Sequence, residues 1–256
     1  MGVNMILEGK VAMVTGGSGG LGSVHCLSLA QAGCDVAVVA HCHLEKAEKI
    51  AEEIRAMGRK ALAVAMDVAN SDEVEATIKK IEKILGPIDI LVNNAADGIV
   101  RAVTIAKMKM QDWVNDLGVN LTGPFNTIKC CLPGMIERGW GRIINISSIA
   151  GTMGGAGQCS YAATKAGLIG LTKTAALEGA RKGVTCNALV LGVFGAGAWN
   201  EIAPEFQERI VKKVALRRPG TPQELSNTVV FLASDESSYI TGEAIEISGG
   251  ADLFTF

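Results

Sequence analysis

The sequence predicts an α/β protein: one parallel, doubly wound sheet in a single domain. Three observations carry this. Short apolar runs alternate with longer segments of helical spacing. The first apolar run opens directly into a glycine-rich loop and then a helix. No Pro/Ser-rich linker divides the 256 residues, a length that suits one large domain with a substantial core.

Taken in order, residues 10–15 form the first strand, and Gly16, Gly17, Ser18, Gly19, Gly20, Leu21 and Gly22 follow as the loop, with a helix to about residue 32. A loop stripped of side chains lets backbone N–H groups approach a pyrophosphate at the positive end of the next helix. The letters fit two registers, Gly17, Gly19 and Gly22, or Gly16, Gly20 and Gly22. Residues 35–40 are the second strand and residues 44–57 a charged amphipathic helix. In a dinucleotide site an acid about 20 residues past the loop grips the ribose 2′-hydroxyl. Here the strand ends in Ala40, His41 and Cys42, with no carboxylate to repel a 2′-phosphate. That favours NADP(H), with NAD(H) the alternative, although no Arg or Lys stands there to clasp the phosphate. His41 and His43 could donate to it; solvated loop histidines are the competing reading.

The third strand, residues 60–66, ends at Asp67 and Val68, and a helix capped by Ser71 runs over residues 71–85. Asp67 then faces the crevice, where it either accepts from an adenine amino group or caps a backbone N–H. Residues 88–94 give the fourth strand, leaving through Asn93, Asn94, Ala95 and Ala96. One long helix is expected over residues 111–138, with weak points at Gly118, Gly123 and Pro124, where the Asn120 side chain satisfies a freed carbonyl or holds a water. The fifth strand, residues 141–147, delivers Ser148 to its C-terminal end. Residues 183–190 and 243–248 complete the set. Between them residues 191–221, Gly/Ala-rich and then amphipathic over 204–216, are expected to form a substrate lid.

A helix beginning near Gln158 projects Tyr161 and Lys165 from one face, one turn apart. A phenol titrates near 10, so proton transfer near neutrality asks for a shift of roughly 3 units, or about 4 kcal/mol. One unit charge about 4 Å away supplies about 4 kcal/mol at an effective dielectric of 20. The lysine is nearly sufficient on that arithmetic, a cationic cofactor ring could add the rest, and the Ser148 hydroxyl could hold the reacting oxygen. A surface helix with a partly buried tyrosine is the bland alternative; Ser148 at a strand end facing the crevice favours the chemical one.

Other classes are disfavoured. With 24 basic and 26 acidic residues, the chain lacks the charge footprint of a nucleic-acid binder. No apolar run approaches membrane-spanning length, and Glu8 and Lys10 break the N-terminal apolar pieces, which argues against a signal peptide. Met1 and Gly2 resemble a myristoylation start, but Ile6 stands where Ser or Thr is wanted. Seven cysteines without a Cys-x-x-Cys spacing suggest free thiols in a reducing compartment, the cytoplasm by default. His41, Cys42 and His43 point in divergent directions with no second ligand group, so no metal site is expected.

The glycine loop, Asp67 and Val68, Asn93, Asn94 and Ala95, Asn120, Ser148, and Tyr161 with Lys165 occur in the order that resembles the short-chain dehydrogenase/reductase family, over essentially the whole of residues 1–256. The resemblance implies a Rossmann-like, seven-stranded subunit, usually a homotetramer, moving hydride between NAD(P)(H) and a carbonyl or secondary alcohol. It implies the register Gly16, Gly20 and Gly22. By carry-over, Tyr161 is the proton donor or acceptor, Lys165 lowers its pKa and binds the nicotinamide ribose, Ser148 holds the substrate oxygen, and Asn120 supports a water relay. The implied cofactor contacts are Gly16, Ser18, Gly19, Gly20, Leu21, Gly22, His41, Asp67, Val68, Asn94, Ala95, Tyr161, Lys165, Gly192 and Phe194. Met153, Gln158, Val193 and Trp199 are the substrate candidates.

Wording over residues 139–148 and 157–161 looks closest to the branch of 3-oxoacyl thioester reductases acting on carrier-protein or CoA substrates. Lys212, Lys213, Arg217 and Arg218 could meet such a carrier's phosphates, or form a solvated helix face. Ala96 stands where the family carries glycine, and Leu191 and Ala196 replace its usual Pro and Thr, so Phe194 offers only its backbone to the carboxamide. The apolar stretch 191–199 motivates an alternative, a dehydrogenase of a compact, cyclic or steroid-like alcohol. A non-catalytic cofactor-binding sensor is the remote one, since all four catalytic positions are filled.

Overall fold

The computed structural model describes residues 5–99, 101–251 and 253; Met1 and Gly2 lie outside them. Seven strands pair in parallel in the order β3-β2-β1-β4-β5-β6-β7. They are β1 (Val11–Thr15), β2 (Asp35–Ala40), β3 (Ala61–Ala65), β4 (Ile90–Asn93), β5 (Gly141–Ser148), β6 (Val184–Leu191) and β7 (Ala244–Ile247). A parallel sheet needs helices on both faces, so its central strands read as unbroken apolar runs rather than alternating ones. Successive side chains still go to opposite faces. Val14, Val36 and Val38 pack under α1 (Gly20–Gln31), α2 (Leu44–Ala56) and α9 (Pro222–Ala233). Met13, Val39, Leu91 and Ile143 pack under α3 (Ser71–Leu85), α5 (Gly123–Arg138) and α7 (Cys159–Gly179).

The chain runs outward from β1 to β3 and then crosses back to place β4 on the other side of β1. Loops leaving β1 and β4 therefore part at their C-terminal ends and open a crevice, the place where ligands bind in open sheets of this kind.

Three expected elements differ. Asn70, not Ser71, caps α3, its side chain accepting from the N–H groups of Asp72 and Glu73; the amide oxygen sits one residue before the first helical turn, where the orphan donors converge. The long helix over 111–138 is α4 (Met110–Leu117) and α5 joined by a π turn, Gly118–Thr122, and that turn falls on the predicted weak points. The amphipathic stretch 204–216 is helical only over α8 (Pro204–Val211); Arg217 takes a left-handed φ of 56° shortly beyond it.

At the N-terminal end of the sheet Arg142 is 2% exposed. Its guanidinium donates to the carbonyls of Ser234, Gly183 and Gly141 and pairs with Asp235 at 2.9 Å. Trp140 carries Arg142 at 4.4 Å and Lys10 at 3.8 Å from its ring centre. A buried guanidinium is tolerable only when its donors are met in this way.

Candidate active site

Two cavities open at the C-terminal ends of the strands. The larger, about 910 Å³, runs from Gly16, Gly19, Gly20 and Leu21 past Asn94 and Ala95 to Ser148, Gln158, Tyr161 and Lys165, and on to Gly192, Val193, Phe194 and Trp199. The smaller, about 230 Å³, joins Gly16 to His41, Asp67, Val68 and Ala95. Predicted positions 132 residues apart in the chain are thus brought to a single wall, Gly16 to Ser148.

The glycine loop has the geometry a pyrophosphate needs. A Cβ on Gly22 would lie 2.2 Å from the Gly16 carbonyl oxygen and 2.6 Å from the Asn94 side chain, so only glycine fits there. Asn94 donates to the Thr15 and Gly16 carbonyls at 3.0 and 3.2 Å and locks the loop to the exit of β4. Of the two registers, Gly16, Gly20 and Gly22 carries the strained conformations, with φ of 65° at Gly16 and 30° at Gly20. Gly22 is buried behind the loop and Ser18 lines neither cavity. A nicotinamide dinucleotide fits this donor set: backbone N–H groups at a helix start for the diphosphate, Asp67 and the His41 edge at the adenosine end, and hydroxyl, phenol and ammonium at the other.

Asp67 fills the capping role, one oxygen accepting from the Ala69 N–H at 2.9 Å while its carboxylate lines the smaller cavity. Asn120 is fully buried and grips the Asp97 backbone twice, accepting from its N–H at 2.8 Å and donating to its carbonyl at 2.9 Å. Of the two expected roles for Asn120, satisfying a carbonyl is the one seen, and the carbonyl is that of Asp97 rather than one freed in its own helix.

Ser148 closes β5 and also caps the short helix α6 (Ile149–Met153), accepting from the Ala150 N–H at 3.2 Å. Tyr161 is 8% exposed and hydrogen-bonded to Ser148. Lys165 is 2% exposed, donates to the Ile146 carbonyl at 2.8 Å, and holds its ammonium 5.5 Å from the Tyr161 ring centre. Burial pushes the phenol up to about 12, with the Ser148 hydrogen bond pulling the other way. Burial likewise pushes Lys165 down to about 8. The sequence-based arithmetic, in which a neighbouring lysine nearly supplies the downward shift, is therefore corrected: it omitted the cost of taking both charged forms out of water, which is the largest cause at both groups.

Met153 is 59% exposed and lines neither cavity, because α6 ends there and Gly154 turns the chain away with φ of 78°. Val193, Trp199 and Gln158 do line the larger cavity. Phe194 is buried, its ring against Gly220; the Gly195 N–H donates to the Gly220 carbonyl and the Gly220 N–H to the Val193 carbonyl, which ties the two ends of segment 191–221 together. Lys212, Lys213, Arg217 and Arg218 line neither cavity, and Arg218 is paired with Glu224 at 2.6 Å. Not foreseen in the sequence are Ile99, Arg101 and Ala102, and, from segment 191–221, Ile202, Phe206 and Ile210, all of which line the larger cavity. Phe206 and Ile210 stand one turn apart on one side of α8, and Ile202 precedes that helix; the first three carry no periodic signal.

Among the described residues no group of three metal-binding side chains is assembled, and no helix is long and apolar enough to cross a membrane. The family model for short chain dehydrogenases matches residues 10–206. A 3-oxoacyl-(acyl-carrier-protein) reductase, FabG of Staphylococcus aureus, is 44% identical over 241 residues, 94% of this chain and 97% of that protein. Among solved structures, a putative gluconate dehydrogenase from Agrobacterium tumefaciens superposes with a TM-score of 0.93 at 31% identity, covering 99% of this chain and 100% of that one. A 3-oxoacyl-(acyl-carrier protein) reductase with bound NAD from Brucella melitensis superposes with a TM-score of 0.88 at 30% identity, covering 97% and 93%.

Proposed function

Since the chain belongs to the short-chain dehydrogenase family and is an NAD(P)-dependent oxidoreductase of carbonyl and CH–OH groups, we propose that it reduces a 3-oxoacyl thioester, CoA- or carrier-linked, at the 3-carbonyl with NADPH. The observation that carries the reading is the meeting of Ser148, Tyr161 and Lys165 in the cavity that begins at the glycine loop. The relatives named as 3-oxoacyl reductases support the thioester, and the apolar wall of Ile99, Trp199, Ile202 and Phe206 suits an acyl chain.

When bound, the nicotinamide supplies the hydride. The Ser148 hydroxyl donates to the substrate carbonyl oxygen and holds it against Tyr161. The phenol gives its proton to that oxygen as the carbon takes the hydride, so carbonyl, hydride and proton sum to a secondary alcohol. A phenol raised to about 12 stays protonated at neutral pH, the state a donor needs in the reductive direction. Lys165, at about 8, remains largely an ammonium there and stabilises the phenolate left behind. Gly192 and the Phe194 backbone would hold the nicotinamide carboxamide, and Gly16, Gly19, Gly20 and Leu21 of the loop would hold the diphosphate. The carboxylate-free end of β2, with His41 at the cavity edge, supports NADPH over NADH.

Seven free thiols support a reducing, cytoplasmic location. Homotetramer formation is the family expectation, and exposed Ile105, Met110, Val114 and Phe125 offer apolar surface for it. A second reading, oxidation of a compact cyclic or steroid-like alcohol, is favoured by the apolar lid alone.

The test follows reduced-nicotinamide absorbance with NADPH and NADH against acetoacetyl-CoA and a panel of free cyclic and steroidal ketones. NADPH oxidation with acetoacetyl-CoA is expected, and Tyr161→Phe is expected to lower kcat at least about 100-fold with cofactor affinity retained. Turnover of the free ketones alone would install the second reading. Near-wild-type turnover by Tyr161→Phe would remove the proton-donor assignment.

A further inference from the structure

Asp116, near the end of α4, is the single fully buried carboxylate among the described residues. Its Oδ2 accepts from the Ser160 hydroxyl at 2.5 Å, and its Oδ1 lies 3.3 Å from the Arg101 guanidinium. Arg101 in turn pairs with Asp112 at 2.6 Å. The Gly98 backbone lies so close that a Cβ there would sit 2.6 Å from the carboxylate. An aliphatic side chain of similar volume would fill such a buried position without the cost of desolvating a charge, so the carboxylate calls for a purpose.

The start of α7 supplies one. A helix's first N–H groups lack intrahelical partners and its first turn is held by a capping side chain where there is one. Gln158, the capping residue of α7, makes no such side-chain bond; its amide donates instead to the Ile99 carbonyl at 2.8 Å. Tyr161 stands in that uncapped first turn, immediately after Ser160. Three bonds from outside the helix tether this turn instead: the Ser160 hydroxyl to Asp116, the Val103 N–H to the Gly157 carbonyl at 2.9 Å, and the Gln158 amide to the Ile99 carbonyl. Ile99 and Val103, together with Asp116, therefore tie down the turn that carries the phenol.

Arg101 lines the larger cavity, which invites a role in gripping an anionic substrate group. Its charge is already opposed by two carboxylates, Asp112 and Asp116, so the cluster carries no spare positive charge. It holds Asp116 rather than receiving a ligand.

We propose that Asp116 and Ser160 are positioning residues for Tyr161, with Arg101 as the counter-charge that fixes Asp116; this rests on the reading of Tyr161 as proton donor. Misplacing a reacting group by about 1 Å costs about 100-fold, and loss of one of three ties is smaller. With NADPH and acetoacetyl-CoA, Ser160→Ala is expected to lower kcat about tenfold while KM and cofactor Kd stay within about twofold. Asp116→Ala is expected to fall equally, and the double variant Ser160→Ala/Asp116→Ala no further than the lower single, because one bond is lost in all three. Asp116→Asn, which keeps an oxygen for Ser160, should stay within about threefold of wild type. Should Asp116→Ala fail to fold, Ser160→Ala and Asp116→Asn still decide.

An unchanged kcat in Ser160→Ala, additive losses in the double variant, or Asp116→Asn as poor as Asp116→Ala would each overturn the inference. So would a drop in Tm with kcat per folded enzyme untouched. Tyr161→Phe runs alongside: if it is inactive while Ser160→Ala is unaffected, positioning alone falls; if it turns over normally, the proton-donor reading falls and takes the positioning with it.

Discussion

Replacing His25 should flatten the acid limb of the stability curve. His25 lies in α1, just past the glycine loop; it is 0% exposed, and its Nδ1 sits 2.7 Å from the Ser226 hydroxyl of α9. Its Nε2 has no protein partner. Burial lowers its pKa from 6.5 to about 4. The folded protein thus keeps the ring neutral where the unfolded chain protonates it. Stability from this group is complete above pH 6.5 and is lost as the pH falls towards 4. A shift of 2.5 units at about 1.36 kcal/mol each comes to about 3 kcal/mol, a large part of the 5–15 kcal/mol typical of a whole domain. Urea unfolding of wild type and His25→Asn from about pH 7.5 to about pH 4.5 measures it, since the difference between the two cancels the carboxylates that titrate in both. The gap should change by about 2–3 kcal/mol in favour of the variant towards the acid end. Parallel curves across the range would refute the reasoning.

Two further perturbations address the cofactor end. Gly22→Ala places a methyl 2.2 Å from the Gly16 carbonyl, so thermal unfolding should show a loss of about 2 kcal/mol or more, and titration should show weaker cofactor binding. His41→Asp sets a carboxylate at the adenosine edge; about 5 Å from a dianionic phosphate in bulk-water dielectric this costs about 1.7 kcal/mol. The KM for NADPH is expected to rise more than about tenfold with that for NADH little changed, and equal effects on both would reject a 2′-phosphate at that edge.

Most of the frame was legible because it rests on local signals. Apolar runs marked the strands, glycines marked the turn after β1, and a four-residue spacing set Tyr161 beside Lys165. What escaped is what only tertiary contact defines. Gly118 and Gly123 announced a weak helix but not a π turn, whose form depends on Asn120 gripping Asp97. Ile99, Arg101 and Ala102 carry no periodicity, yet they line the larger cavity, and the Ile99 carbonyl holds Gln158 at the start of α7. Asp116 drew no notice in the sequence, because burial of a carboxylate has no signature in the chain. The electrostatic arithmetic at Tyr161 failed for a related reason, since desolvation depends on everything packed around the pair.

The Arg142 cluster and Ser148 occupy the same strand, β5, six residues apart. At about 3.3 Å per residue they stand roughly 20 Å from each other, well beyond the 7–10 Å over which substitutions usually interact. The enzyme is in that sense partitioned for engineering. Changes around Trp140, Arg142 and Asp235 act on the buried ion cluster, changes around Ser148 and Tyr161 act on the proposed proton-transfer site, and libraries built separately at the two ends are expected to combine with their effects summing.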